Sequence, residues 1–181
     1  MKEIEVKAKA GDISQLKEKF ISLGCEFFDP VVQDDRIYLK KGDSLDNRYP
    51  GLVALRIRSE NGKHILTLKK RRENDLDNIE CEIIIDNPDQ AHDMLLHLGY
   101  DEVSHVRKTR HACSYNGLGI CLDEVEGLGS FIEVEKMTEE DDGAAVQGEL
   151  FCFLQTLGIS EADRVTIGYD VLMHQMQNQK D

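Results

Sequence analysis

This chain is short of basic charge, of paired cysteines and of long apolar runs, and each shortage excludes something. Against 35 Asp and Glu it carries only 22 Lys and Arg, a net charge of −13. General nucleic-acid binders draw their affinity from a basic surface that neutralises phosphates, so the deficit argues against that class, and equally against adhesion to anionic membranes. The cysteines, at 25, 81, 113, 121 and 152, are odd in number and show no Cys-x-x-Cys or Cys/His spacing. Neither a disulfide framework nor a structural zinc site is signalled. Cys81 and Cys152 fall on apolar faces and are expected in the core. No apolar stretch follows the charged start at Lys2 that could serve as a leader or a membrane span, so a cytoplasmic protein is expected. The six histidines lack ligand spacing, and Gly127-x-Gly129 is too short for a nucleotide fingerprint.

What is present is alternation. Five stretches place charged and apolar residues with period two: Glu3-Ile-Glu5-Val-Lys7-Ala-Lys9, Leu55-Arg56-Ile-Arg58, Glu80-Cys-Glu82-Ile, Val106-Arg-Lys108-Thr-Arg110 and Phe131-Ile-Glu133-Val-Glu135. On a strand, residues two apart share a face. Each stretch therefore has an apolar face and a face bearing doubled like charges. A sheet with one face in water also alternates, but doubled like charges would repel unless something lay between them. The five together favour charged faces turned inward, around a polyanion with its metal ions. At 181 residues, 40% hydrophobic and 31% charged, with no change of composition along its length, the chain reads as one soluble domain, 1–181.

Three segments share a plan in which a Glu-x-Glu strand leads to an amphipathic helix closed by Leu-Gly, at residues 23–24, 98–99 and 157–158. Asp12 and Asn87 are expected caps, with Pro88 at the first helical position. The expected apolar stripes are Ile13, Leu16, Phe20 and Leu23; Ala91, Met94, Leu95 and Leu98; and Val146, Leu150, Phe153, Leu154 and Leu157. A fourth helix is expected over 169–177. Strands are expected over 37–40, 53–59, 63–70, 79–85, 106–115, 119–124 and 130–137, with tight hairpins at Asn61-Gly62 and Asn116-Gly117. The polar stretches 41–51 and 71–78 read as lids or disordered loops.

A magnesium triphosphate needs hard oxygen ligands for its metal and cations for its remaining charge. Glu3, Glu5, Glu133 and Glu135 can supply the first, with Glu80, Glu82 and Asp123 in reserve. Lys7, Lys9, Arg56, Arg58, Lys69, Lys108 and Arg110 can supply the second. At this point the residues resemble a known family. Glu3-Ile-Glu5-Val-Lys7 matches the Glu-x-Glu-x-Lys signature of the CYTH or triphosphate tunnel metalloenzyme superfamily, which includes class IV adenylyl cyclases and thiamine triphosphatases. Leu55-Arg56-Ile-Arg58, Leu66-Thr-Leu-Lys69, Glu80-Cys-Glu82, Val106-Arg-Lys108-Thr-Arg110 and the run from Leu122-Asp123 to Glu135 follow in order, so the resemblance spans 3 to about 172.

The resemblance implies an α+β fold, an eight-stranded antiparallel β tunnel (barrel) with a charged interior and helices packed outside. It implies metal ligation by Glu3, Glu5, Glu133 and Glu135, for Mg²⁺ or Mn²⁺. It implies triphosphate binding by Lys7, Arg56, Arg58, Lys69, Lys108 and Arg110, to which the charge pattern adds Lys9, with Lys7, Glu82 and Asp123 expected in the catalytic apparatus. The expected activity is that of a class IV adenylyl cyclase, with a triphosphatase or a non-catalytic polyphosphate or nucleotide binder as alternatives. The expected partner is a small-molecule triphosphate, with no nucleic acid and no membrane; a homodimer is compatible.

Overall fold

The computed structural model describes residues 2–72, 78–139 and 142–178, with side chains from Ile4 onward. The elements in chain order are β1 (Lys2–Lys9), α1 (Ile13–Ser22), β2 (Val31–Lys40), β3 (Val53–Glu60), β4 (Lys63–Arg71), β5 (Asn78–Ile85), α2 (Pro88–His97), β6 (Tyr100–Tyr115), β7 (Leu118–Val125), β8 (Gly129–Thr138), α3 (Gly143–Thr156), β9 (Arg164–Val165) and α4 (Tyr169–Asn178). The fold is α+β. Its strands follow the order β5-β4-β3-β2-β6-β7-β8-β1-β9, antiparallel at each described ladder. The strand beyond the expected eight is β9, two residues long and laid along Lys7 and Ala8. Among the described residues β5 and β9 do not pair, so the hydrogen-bond order is not closed.

The chain forms two compact units, residues 1–31 with 109–166 and residues 32–108 with 167–181, and β6 passes from the second into the first. In the first unit the pleat of β1, β7 and β8 turns Ile4, Val6, Ala8, Ile120, Leu122, Ile132 and Val134 to one face. Those residues form a core with Ile13, Leu16 and Phe20 of α1 and Val146, Leu150 and Leu154 of α3. Each large aliphatic or aromatic side chain so buried contributes roughly 1.5–3 kcal/mol. In the second unit Tyr38, Leu55, Ile57, Leu66 and Ile85 share the equivalent face and pack against Ala91 and Leu95 of α2. Helices therefore cover the apolar faces and leave the charged ones on the other side.

The helix α4 is placed differently. Its Val171 packs with Leu39, Leu45 and Leu52, and Ala54 joins the same cluster. Leu39 and Ala54 lie on the parity that carries Asp35 and Arg56, so α4 covers one end of the charged face of its unit. Helices thus lie on both faces, not only behind the apolar one.

The helix ends follow local chemistry. The Asp12 carboxylate accepts from the N–H groups of Ser14 at 2.8 Å and Gln15 at 3.4 Å, and Asn87 accepts from Gln90 N–H at 2.9 Å. The glycines after α1, α2 and α3 adopt φ of +88°, +84° and +90°, the left-handed stop that a side chain would strain.

Several expectations are corrected. Cys81 and Cys152 are exposed, whereas Cys25, Cys113 and Cys121 are buried. Cys81 lies on β5, the end strand of the sheet order, where no further strand covers it, and Cys152 lies off the buried stripe of α3. Leu23, Met94 and Leu98 are exposed, because α1 and α2 are each buried along a narrower stripe than their apolar residues span. The strand β2 begins six residues earlier than expected and β6 likewise, since polar residues such as Asp34, Asp35, Asp101 and Glu102 sit inside their ladders. Residues 41–51 are tied down: Leu45 is buried, and Gly51 N–H donates to Arg71 O while Arg71 N–H donates to Leu52 O, both at 2.9 Å. The second expected lid, 71–78, falls for the most part outside the described residues. No described helix is long and apolar enough to cross a membrane.

Candidate functional site

Each unit carries a cluster of charge on the face its apolar core leaves open. In the first unit, register builds it. Glu5 lies opposite Glu135 and Lys7 opposite Glu133 on the β1–β8 ladder, while Gly119 and Cys121 of β7 lie opposite Glu135 and Glu133 on the other side of β8. The carboxylates of Glu5, Glu133 and Glu135 present oxygens all within 4.8 Å of one another. Three like charges so close are tolerable only with cations among them. Lys7 Nζ stands 3.0 Å from Glu133 Oε1 and 3.4 Å from Glu5 Oε1. Arg110 donates from Nε to Asp123 Oδ1 at 2.8 Å and from Nη2 to Asp123 Oδ2 at 2.6 Å, a bidentate pair, and Nη2 also meets Glu133. Its Nη1 approaches Glu135 Oε1 at 4.0 Å.

Burial alone would lower the Arg110 pKa, but the charges of Glu133 and Asp123 and the Asp123 hydrogen bonds hold it well above its ordinary value. The Cys121 thiol is pushed up by burial, and the carboxylates around it add to that, so it stays protonated. Gly119 has a positional reason: a Cβ there would stand 3.2 Å from Glu135 Oε2, so only glycine leaves that carboxylate its place without a shift.

In the second unit the ladders β2–β3–β4–β5 align three rows on the charged face: Asp35, Arg58, Ile65 and Ile84; Ile37, Arg56, Thr67 and Glu82; Leu39, Ala54, Lys69 and Glu80. Arg58 donates from Nε and Nη2 to the two Asp35 oxygens at 2.7 and 2.6 Å. Lys69 Nζ reaches Glu80 Oε1 at 2.8 Å. Arg56 Nη2 reaches Thr67 Oγ1 at 3.2 Å and Glu82 Oε1 at 3.3 Å. Lys108 Nζ stands 4.6 Å from the ring centre of Tyr169 at the start of α4, a cation–π contact. Burial works to raise the Asp35 pKa; the Arg58 hydrogen bonds and charge, with Arg56 and Lys108 behind them, outweigh it and hold the carboxyl below its ordinary value. The Arg56 guanidinium is pushed down by burial and by the like charge of Arg58.

Of the residues expected from the sequence, the first cluster gathers Glu5, Lys7, Arg110, Asp123, Glu133 and Glu135, and the second gathers Arg56, Arg58, Lys69, Glu82 and Lys108. The Glu3 side chain lies outside the described residues. Lys9 is exposed, and its charge acts on Asp163. Three members escaped the sequence reading. Asp35 sits beside Asp34 and ahead of the strand expected over 37–40; its signal was the Gln33-x-Asp35-x-Ile37 alternation. Thr67 carries no charge, and Tyr169 opens the stretch expected as the fourth helix.

The donor set of the first cluster, three carboxylates converging within one cation's reach, suits a hard divalent ion. Comparison with known proteins agrees. The CYTH domain family model matches residues 1–169. "Putative adenylate cyclase MJ0240" of Methanocaldococcus jannaschii is 31% identical over 172 residues, 93% of this chain and 97% of that protein. Among solved structures, the PH1819 protein of Pyrococcus horikoshii matches with a TM-score of 0.77 at 28% identity, covering 98% of this chain and 99% of that one. HpAC1 of Hippeastrum, described as having a dominant triphosphatase activity, shares the fold with a TM-score of 0.61 at 24% identity over 87% of this chain and 89% of its own. CYTH enzymes are metal-dependent, and a small-molecule triphosphate substrate fits the family. By the match along nearly its whole length, this chain belongs to the CYTH domain family.

Proposed function

We propose that the chain, acting as a single CYTH domain over 1–181, is a Mg²⁺-dependent enzyme of triphosphates that converts ATP to cyclic AMP and pyrophosphate. The observation that carries this reading is the convergence of Glu5, Glu133 and Glu135 within 4.8 Å, braced by Lys7 and Arg110. Those glutamates would hold the Mg²⁺, or Mn²⁺ in its place, and Glu3 is proposed as a further ligand. The ion would supply Lewis-acid charge to phosphate oxygens. Lys7 and Arg110 would neutralise charge that develops on the phosphates in the transition state, as donors already in place. Asp123, wholly buried and engaged through both oxygens by Arg110, acts by orienting that guanidinium. In the second unit Arg56, Arg58, Lys69 and Lys108 would bind phosphate oxygens.

In the cyclase reaction the ribose 3′-oxygen loses its proton and attacks the α-phosphorus, and the bond to the pyrophosphate oxygen breaks. Purified protein incubated with ATP and Mg²⁺ or Mn²⁺ should release cyclic AMP and pyrophosphate in equal amounts; neither product would reject the reading. The second reading, supported by the triphosphatase activity described for HpAC1, has water attack the terminal phosphorus. It predicts orthophosphate from tripolyphosphate with no nucleoside present. Tight metal-dependent binding with no turnover would instead mark a non-catalytic binder. The same proposal holds that the protein is cytoplasmic and independent of nucleic acid, and that it is compatible with a homodimer, which sedimentation equilibrium checks.

A further inference from the structure

We propose that Thr67 is a positioning residue which, together with Glu82, locks the Arg56 guanidinium in the orientation that meets a phosphate; this rests on the phosphate-binding reading of the second unit's charged face. Thr67 is wholly buried at the centre of its cross-strand row, between Arg56 on β3 and Glu82 on β5. Its Oγ1 lies 2.8 Å from Glu82 Oε1 and 3.2 Å from Arg56 Nη2.

The chemistry of the three groups fixes the direction of this chain. A guanidinium can only donate, and an ionised carboxylate can only accept. The hydroxyl must therefore accept from Arg56 and give its single proton to Glu82. Arg56 Nη2 also donates to Glu82 directly, at 3.3 Å, so its two protons have two partners. A planar head group held twice at one nitrogen cannot turn about its Cζ–N bonds without losing both. Arg56 Nε is buried with no hydrogen-bond partner among the described residues, so nothing at that end fixes the plane.

The lock has something to resist. Burial and the like charge of Arg58 both disfavour the Arg56 guanidinium where it stands, and a long flexible stem would otherwise let it swing toward water. A β-branched residue on a strand has little freedom at χ1 and holds its hydroxyl in place. By this account Glu82 acts through Arg56 rather than on the substrate, and the Thr67 hydroxyl couples the two.

Two measurements on the full chain test the proposal. The first is nitrogen-resolved NMR of the arginine side chains, with the Arg56 signal assigned by its loss in Arg56→Lys. Resolved, slowly exchanging Nη protons are expected in the wild type, and averaged ones in Thr67→Val, which keeps the shape and removes the hydroxyl. Thr67→Ser should restore the resolved pattern. The second is calorimetric binding of tripolyphosphate with Mg²⁺. Loss of one hydrogen-bonded link should weaken binding about tenfold in Thr67→Val, Thr67→Ser should stay within about twofold of wild type, and Thr67→Val should add nothing in an Arg56→Lys background. Nη protons already averaged in the wild type, unchanged binding by Thr67→Val, or an undiminished effect without Arg56 would overturn the proposal. Failure of the wild type to bind tripolyphosphate would instead remove the phosphate-binding reading, and the NMR pattern alone would then decide on Thr67.

Discussion

At the residue scale, the two clusters differ in what holds each charge, and substitutions should separate them. Arg58 was expected from the sequence as a simple phosphate binder, but Asp35, 6% exposed, grips it through both oxygens. Arg58→Ala would strip that buried carboxylate of both its hydrogen bonds and leave it only the charges of Arg56 and Lys108, and breaking a buried pair from one side typically costs about 3–5 kcal/mol. Chemical denaturation should therefore show a marked loss of stability along with the loss of triphosphate binding; unchanged stability would mean that Asp35 is better solvated than its burial implies. The same pair has a pH signature. The folded pKa of Asp35 lies below the ordinary 3.8, so its contribution is complete above that value and is lost as pH falls through the lower, folded pKa. Asp35→Asn should flatten stability against pH in the window from about 3.8 downward, and an unaltered acid limb would count against the pairing. Glu135→Gln should act differently, reducing metal affinity while leaving stability near wild type, because it thins a set of like charges. Gly119→Ala makes a finer test: the added methyl displaces the Glu135 carboxylate by a few tenths of an ångström, and metal affinity measured by calorimetry should fall several-fold with the fold intact. The charged members of both clusters other than Asp35 were legible in the sequence because period two places them on one face. Thr67 and Asp35 were not, since a neutral residue and a member of an Asp-Asp pair give alternation little contrast.

At the scale of elements, the helices were the most legible part because caps, stripes and stops are local chemistry. Asp12 and Asn87 cap as their positions implied, and the three Leu-Gly ends stop in the left-handed conformation. Asn87→Ala should cost about 1 kcal/mol, read by thermal melting, whereas no change would show that Pro88 alone sets the start of α2. The strand starts were less legible. Residues 31–36 and 100–105 contain few apolar alternations, and their strand character comes from the partners that pair with them across long sequence separations. Such pairings leave no mark in a short window of sequence. The exposed face of α2 was misread for a related reason: Met94 and Leu98 belong to its expected apolar stripe, yet they are 58% and 67% exposed.

At the scale of the whole molecule, the position of α4 was the least legible feature. Its sequence announces a helix and says nothing of which face it will cover; Val171 packs with Leu39, Leu45 and Leu52 on the side that also bears the arginines. Val171→Asp should lower the melting temperature by several degrees and weaken triphosphate binding together. A variant that lost stability with binding intact would separate the helix from the charged face. The cross-strand rows carry a last consequence, for inheritance rather than for chemistry. Since Glu5 faces Glu135 and Lys7 faces Glu133 through an unbroken pleat, a single codon lost between Ile4 and Lys7 would reverse every later side chain on that strand, sending lysine toward α1 and α3 and valine toward the carboxylates. Loss of two codons would shorten the strand and preserve its sidedness. Surviving length changes in β1, β7 and β8 should therefore come in even numbers, a parity that a deletion library scored for soluble, metal-binding protein would reveal.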